Sequence, residues 1–309
     1  MVVPDKSEFL KRTSGGNRMS IYRDLLADIE TPLSAYWKLS HDQTYSFLLE
    51  SVTGGEQLAR YSILGVGPKR VLRTKNQNVS IQSGDQIETR TLAPGEDPLD
   101  ALRDQMAGQD VLKVDGLPAF VGGAVGIMSY DLVRFFEQLP DTCADDLQVD
   151  DLAMMITDTV VVFDHAKNVI RVIVTAEGTE AGYNQAVAEI DRVIARLQEP
   201  IPALPSFTGE PHEVKSNVTQ PQFEHMVERM IEYISAGDGI QMVPAQRFQT
   251  DVEAHPLTVY RALRSLNPSP YMFILRFGDF DVVGASPELL VSLHGSTARV
   301  RPIAGTRWR

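Results

Sequence analysis

Four prolines, Pro200, Pro202, Pro205 and Pro211, constrain the fold of this chain more than any other feature. Each lacks a backbone N–H and has a fixed φ, so the stretch that holds them can be neither regular helix nor interior strand. It predicts a boundary: a first domain over 1–199, a Pro-rich linker over 200–215 and a second domain over 216–309. In a chain of 309 residues each part is long enough to bury its own core.

Before the linker, short apolar runs alternate with Gly, Pro and polar turns, as in antiparallel sheet. Tyr45–Ser51 reads as a strand leading into a Gly54-Gly55 turn, and Tyr61–Gly65 as another strand. Thr159–Phe163 and Val169–Val174 flank Asp164-His165-Ala166-Lys167-Asn168, a hairpin with polar turn residues. A helix over about Ala181–Leu197 lines up Tyr183, Ala186, Ile190, Val193, Ile194 and Leu197 on one face. After the linker, Phe223, Met226, Val227, Met230, Ile231 and Ile234 define a second amphipathic helix. Thr219 and Gln222 offer it a capping box, and Gly237 a left-handed C-terminal residue. Strands are predicted around Met242–Phe248, Tyr271–Phe277, Asp281–Gly284, Leu289–Leu293 and Ala298–Ile303. The fold class is therefore α+β, with largely antiparallel sheets and helices packed outside, rather than a doubly wound parallel sheet.

Composition removes several functions. A net charge of −12 argues against a nucleic-acid partner, although local basic groups still suit a small anionic substrate. No run approaches the ~18 apolar residues of a membrane span. The lone Cys143 cannot form an intrachain disulfide, which fits a cytoplasmic protein. Gly122-Gly123-Ala124-Val125-Gly126 lacks dinucleotide-binding spacing and predicts close backbone packing instead. The six histidines include no i, i+4 pair of the kind that holds a metal on a helix.

The richest motif is Arg301-Pro302-Ile303-Ala304-Gly305-Thr306-Arg307. Ala304-Gly305-Thr306 makes either a tight turn whose N–H groups and hydroxyl cradle a carboxylate, or a plain strand-end turn. Four further groups of segments accompany it. They are Thr31–Tyr36 with Phe47–Ser51; Phe120–Gly126 with Ser129–Asp131; Ala236–Gln241 with Gln246–Phe248; and Asn267–Phe273 with Ser286-Pro287-Glu288. In this order, from about Asp28 to Arg307, the chain resembles anthranilate synthase component I, a family of chorismate-utilising enzymes.

That resemblance implies an N-terminal regulatory domain binding L-tryptophan, packed on a chorismate-binding catalytic domain. The effector contacts carry over to Ser51 and to Pro270, Tyr271 and Met272. A hydroxyl suits an amino-acid head group and the other three offer apolar walls, though the same residues also read as a strand end and core filling. Enzymes of this scaffold that add water to chorismate carry a lysine where this chain has Gln241, and a side-chain amide has no basic nitrogen to activate water. Those that use a lysine nucleophile carry it where this chain has Ala304. The pair implies ortho amination by ammonia. Glu288 matches the general acid that protonates the departing C4 hydroxyl, a role needing a raised pKa; a carboxylate in a first helical turn is the plainer reading of Ser-Pro-Glu. Gly305 and Thr306 would hold a substrate carboxylate, with Arg307 adding charge.

The family also implies Mg2+, with ligands expected C-terminal to this chain, and ammonia from a glutamine amidotransferase subunit, component II. Trp308 stands where the family continues with proline, so the resemblance implies a truncated enzyme, inactive alone and exposing unpaired strand edges. Two alternatives stay open: an enzyme of the 2-amino-2-deoxyisochorismate synthase type, which stops at the aminated intermediate, and a catalytically dead tryptophan-binding fragment.

Overall fold

The structure, a computed structural model, describes residues 1–52, 60–108, 110–207, 209–210 and 212–303. The turn expected at Gly54-Gly55 and Pro211 of the linker lie outside them. Among the described residues six α-helices form: α1 Lys6–Arg12, α2 Pro32–Ser40, α3 Pro98–Met106, α4 Glu180–Gln198, α5 Gln220–Ala236 and α6 Pro256–Leu266. The first strands are β1 Arg18–Leu26, β2 Tyr45–Glu50, β3 Tyr61–Val66, β4 Arg70–Lys75, β5 Asn78–Ser83 and β6 Gln86–Thr91. Then come β7 Val111–Leu112, β8 Gly123–Met128, β9 Leu152–Thr157, β10 Thr159–Asp164 and β11 Val169–Ala176. The rest are β12 Lys215–Ser216, β13 Phe248–Gln249, β14 Tyr271–Phe277, β15 Asp281–Ser286, β16 Ser292–His294 and β17 Thr297–Arg299.

Contacts group the chain into two units, Met1–Ala203 with Tyr260–Arg309 and, separately, Leu204–Val259; the chain re-enters the first within α6. In the first unit an eight-stranded sheet runs β15-β14-β2-β3-β10-β11-β1-β7 and a five-stranded sheet β6-β5-β4-β9-β8. Every pairing is antiparallel except the two-residue β1–β7 ladder. The residues after the linker thus supply two strands, β14 and β15, to the sheet that begins near the N-terminus.

Strand periodicity explains why the sheets stack. Phe47, Val160, Val162, Ile173, Leu275 and Phe277 of the larger sheet meet Val71, Val125, Ala153 and Met155 of the smaller in one buried cluster. Helices cover the outer faces. All six residues read as the apolar face of α4 are buried, and α4 lies against β11 and β1. Ala101 of α3 joins Leu72, Val79, Leu152 and Met154 on the outside of the smaller sheet.

Glycine permits the closest approach of two strands. A Cβ on Gly126 of β8 would sit 1.9 Å from the Ala153 carbonyl oxygen of β9, so no side chain fits there. This is the close packing expected of the 122–126 cluster.

The Leu204–Val259 unit holds α5 between β12 and β13. Thr219 caps α5 in a reciprocal box with Gln222, and Gly237 closes it at φ 89°. The strand expected over Met242–Phe248 does not form: only Phe248–Gln249 pairs, with Lys215–Ser216. Pro244 removes a ladder donor there, and a β-prone sequence stays irregular without a partner strand. The strand expected over Leu289–Leu293 likewise shrinks to β16, paired only with β17.

Candidate functional site

The tertiary structure gathers the predicted effector residues by joining β14 to β2. Glu50 lies opposite Met272 in the last pair of the ladder, and beyond it the Val52 N–H donates to the Ser269 carbonyl at 3.2 Å, one residue out of that register. On its other side Tyr271 pairs with Ser286 of β15. Residues opposite one another in antiparallel strands share a face, so Tyr271 and Ser286 point the same way. Their neighbours on that face, Leu49 and Phe273, pack into the inter-sheet cluster.

Met272 points the other way. It is 1% exposed and shares its face with Glu50 and Ile274 rather than with Tyr271. The four residues named from sequence are thus neighbours along the backbone but split between the two sides of the sheet. Ser51, Pro270 and Tyr271 are half-buried.

On Met272's side stands a cluster the sequence reading missed. Glu50 is buried, and its carboxylate accepts hydrogen bonds from the Tyr260 hydroxyl at 2.5 Å and from Arg264 Nε at 3.2 Å. Burial and the neighbouring Glu50 charge raise the Tyr260 pKa, holding the hydroxyl neutral as a donor. The cluster pins α6 to the strand one residue before Ser51. A signal existed: Glu50 ends the apolar run Phe47-Leu48-Leu49, and Tyr260 and Arg264 sit at i, i+4 on a helix. Nothing in either segment, however, named the other as partner.

Glu288 and the start of the terminal heptad also meet. The Glu288 Oε1 atom accepts a 2.8 Å hydrogen bond from the Ile303 N–H. A turn aims the carboxylate, with the Ser286 hydroxyl donating to the Glu288 carbonyl at 3.1 Å and accepting from its N–H at 3.4 Å. Glu288 is exposed. Ala304, Gly305, Thr306 and Arg307 lie outside the described residues, immediately after Ile303. Gln241 is exposed in irregular chain and belongs to the Leu204–Val259 unit.

Among the described residues no three His, Cys, Asp or Glu side chains come together to hold a metal ion. The described residues therefore do not supply the carboxylate set that Mg2+ would need. No helix among them is long and apolar enough to cross a membrane.

Comparison with known proteins bears on the chain as a whole. The family model described as "chorismate binding enzyme" matches residues 46–309. Anthranilate synthase component 1 of Pseudomonas aeruginosa is 42% identical over 314 residues, covering 99% of this chain and 63% of its own length. The Pseudomonas putida protein of the same name is 40% identical over 316 residues, with the same two shares. Among solved structures, anthranilate synthase component I from Streptococcus pneumoniae TIGR4 superposes with a TM-score of 0.60 at 30% identity, covering 88% of this chain and 59% of that one. The chain thus spans about three fifths of the length of the relatives it matches.

Proposed function

The chain belongs to the chorismate-binding enzymes, and on that footing we propose that it carries component I of an anthranilate synthase. The reaction is chorismate plus ammonia giving anthranilate, pyruvate and water. Ammonia attacks the ring beside the carboxylate, and the C4 hydroxyl leaves as water with a proton from Glu288. Gln241 serves by hydrogen bonding alone, and Ala304 leaves no side-chain nucleophile, so the attacking nitrogen comes from outside. Gly305 and Thr306 hold the substrate carboxylate. The Mg2+ that the resemblance implies would take its ligands from outside the described residues and would supply positive charge.

The observation that carries this reading is the 2.8 Å bond between Ile303 and Glu288. It supports a Glu288 carboxyl held against the residue that leads into Ala304-Gly305-Thr306 in sequence. The partners we propose are a glutamine amidotransferase subunit as ammonia source and L-tryptophan as feedback effector, with the 1–199 region as the regulatory part. For the effector, the support is the β2–β14 pairing, which brings the segment that ends in Ser51 alongside the one that begins at Pro270. A cytoplasmic location rests on the single, exposed Cys143.

A chimera tests the reading. This chain replaces the matched 314 residues of the P. aeruginosa relative, and the product is identified by fluorescence and mass. Anthranilate plus pyruvate is expected. A product that keeps the enolpyruvyl group would select the amination-only alternative, and L-tryptophan binding without turnover would select the effector-binding fragment.

A further inference from the structure

The helix α6 belongs to both units of the chain. Pro256–Val259 group with the Leu204–Val259 unit and Tyr260–Leu266 with the first, so the division falls inside one continuous helix. A helix is held by its own backbone bonds and turns as one piece, so whatever fixes its second half also sets its first turn.

Two attachments hold that second half, and both lie where the proposed effector residues stand. Tyr260 and Arg264 are one turn apart on the same helix face, and both donate to the single carboxylate of Glu50, at 2.5 and 3.2 Å. The Glu50 side chain is 2% exposed, and a buried charge without donors is costly, so the carboxylate accepts α6 in one orientation. The second attachment is covalent. Only Asn267, Pro268 and Ser269 separate α6 from Pro270, and the Ser269 carbonyl accepts from the Val52 N–H at 3.2 Å. A shift of Ser51 therefore reaches α6 through the adjoining Glu50, and a shift of Pro270 through this short connection.

We infer that Tyr260 and Arg264 are positioning residues for feedback inhibition. L-tryptophan at Ser51, Pro270 and Tyr271 moves the end of β2, α6 follows through the Glu50 carboxylate, and the change is carried into the Leu204–Val259 unit, which holds Gln241. This role rests on the proposed effector reading and adds to it the route by which binding is felt elsewhere in the chain.

The test separates binding from its consequence in the parent, Tyr260→Phe and Arg264→Gln. Calorimetry without chorismate should give each variant an L-tryptophan affinity within about twofold of the parent, because neither side chain touches the effector. In the P. aeruginosa chimera the L-tryptophan concentration that halves turnover should rise about tenfold or more in both variants. Gly65→Ala, which strains the first unit against the Phe47 ring, keeps both binding and inhibition, so lost stability alone does not mimic the effect. A readout free of turnover comes from the 309-residue chain. The N–H groups of Thr258 and Val259 bond to the His255 carbonyl at 2.8 and 3.2 Å, and their exchange should respond to L-tryptophan in the parent but not in Tyr260→Phe. Equal inhibition of Tyr260→Phe and parent, or exchange at Thr258 and Val259 indifferent to bound L-tryptophan in the parent, overturns the inference alone. A parent that does not bind L-tryptophan at all defeats the effector reading, and this role with it.

Discussion

The hydroxyl of Tyr260 donates a 2.5 Å hydrogen bond to Oε2 of Glu50, across 210 positions of sequence and at a site where both side chains are buried. A helix that follows the linker is thereby fastened to a strand that precedes it. Because Glu50 adjoins Ser51 and faces Met272, the same bond steadies the end of the sheet where the proposed effector binds.

Tyr260→Phe removes the donor and leaves a buried carboxylate with Arg264 alone. The expected cost is about 1–3 kcal/mol, the penalty for leaving a buried polar group short of a partner. Urea unfolding measures it, and a loss under about 0.5 kcal/mol would show that water replaces the hydroxyl. The pH sign is equally specific. The folded pKa of Tyr260 is raised, so its contribution is complete below the unfolded value of about 10 and declines as pH climbs above it. Alkaline unfolding should therefore be shallower in Tyr260→Phe.

Asp42 and Arg196 make the complementary case at acid pH. Two hydrogen bonds from the guanidinium, at 2.9 and 3.1 Å, pull the Asp42 pKa down to about 2. A depressed carboxylate pKa stabilises the fold above the unfolded value of about 3.9 and loses that contribution as pH falls toward 2. Asp42 is half-exposed, so solvent screening limits the effect to below about 1 kcal/mol. Comparing Asp42→Asn with the parent, the difference in unfolding free energy should be present at pH 6 and gone at pH 2.

Two glycine substitutions should separate rigid from yielding neighbours. Gly126→Ala drives its Cβ to 1.9 Å from a backbone oxygen, whereas Gly65→Ala meets the Phe47 ring at 2.5 Å. A ring turns and a strand backbone does not. Gly65→Ala should cost about 1–3 kcal/mol, as overpacking usually does, and Gly126→Ala distinctly more. Thermal melts of the two variants settle the order, and equal losses would refute it.

Ser51→Ala should weaken L-tryptophan binding about tenfold, equivalent to ~1.4 kcal/mol, without lowering the melting temperature. Titration calorimetry on the 309-residue chain provides the number. Met272→Leu should change affinity less than Tyr271→Ala, because Met272 is buried on the side of Glu50, away from Tyr271. The reverse ranking would move the effector to the helix side of the sheet.

Within the chimera, Glu288→Gln should reduce turnover by about 10²- to 10⁴-fold, the usual weight of a general acid. Substrate KM should change little, since the amide still accepts the Ile303 N–H. A KM effect alone would make Glu288 a binding residue.

By itself, the sequence determined what depends on near neighbours. Thr219 with Gln222 starts α5, Gly237 ends it, and polar residues 164–168 turn β10 into β11, because caps and turns are interactions over a few residues. The 3.6-residue spacing said which face of α4 and of α5 is apolar, and the separated motifs said which family the chain resembles. Only the tertiary structure decided what covers those faces. It seated α4 on β11 and β1 and left α5 bare. It also laid β14 beside β2, putting Tyr271 with Ser286 and Met272 with Glu50 on opposite sides. Register and burial are set by partners hundreds of residues away. A strand such as 242–248 or 289–293 exists only where a partner completes its ladder, and that partner is not written in the strand's own residues.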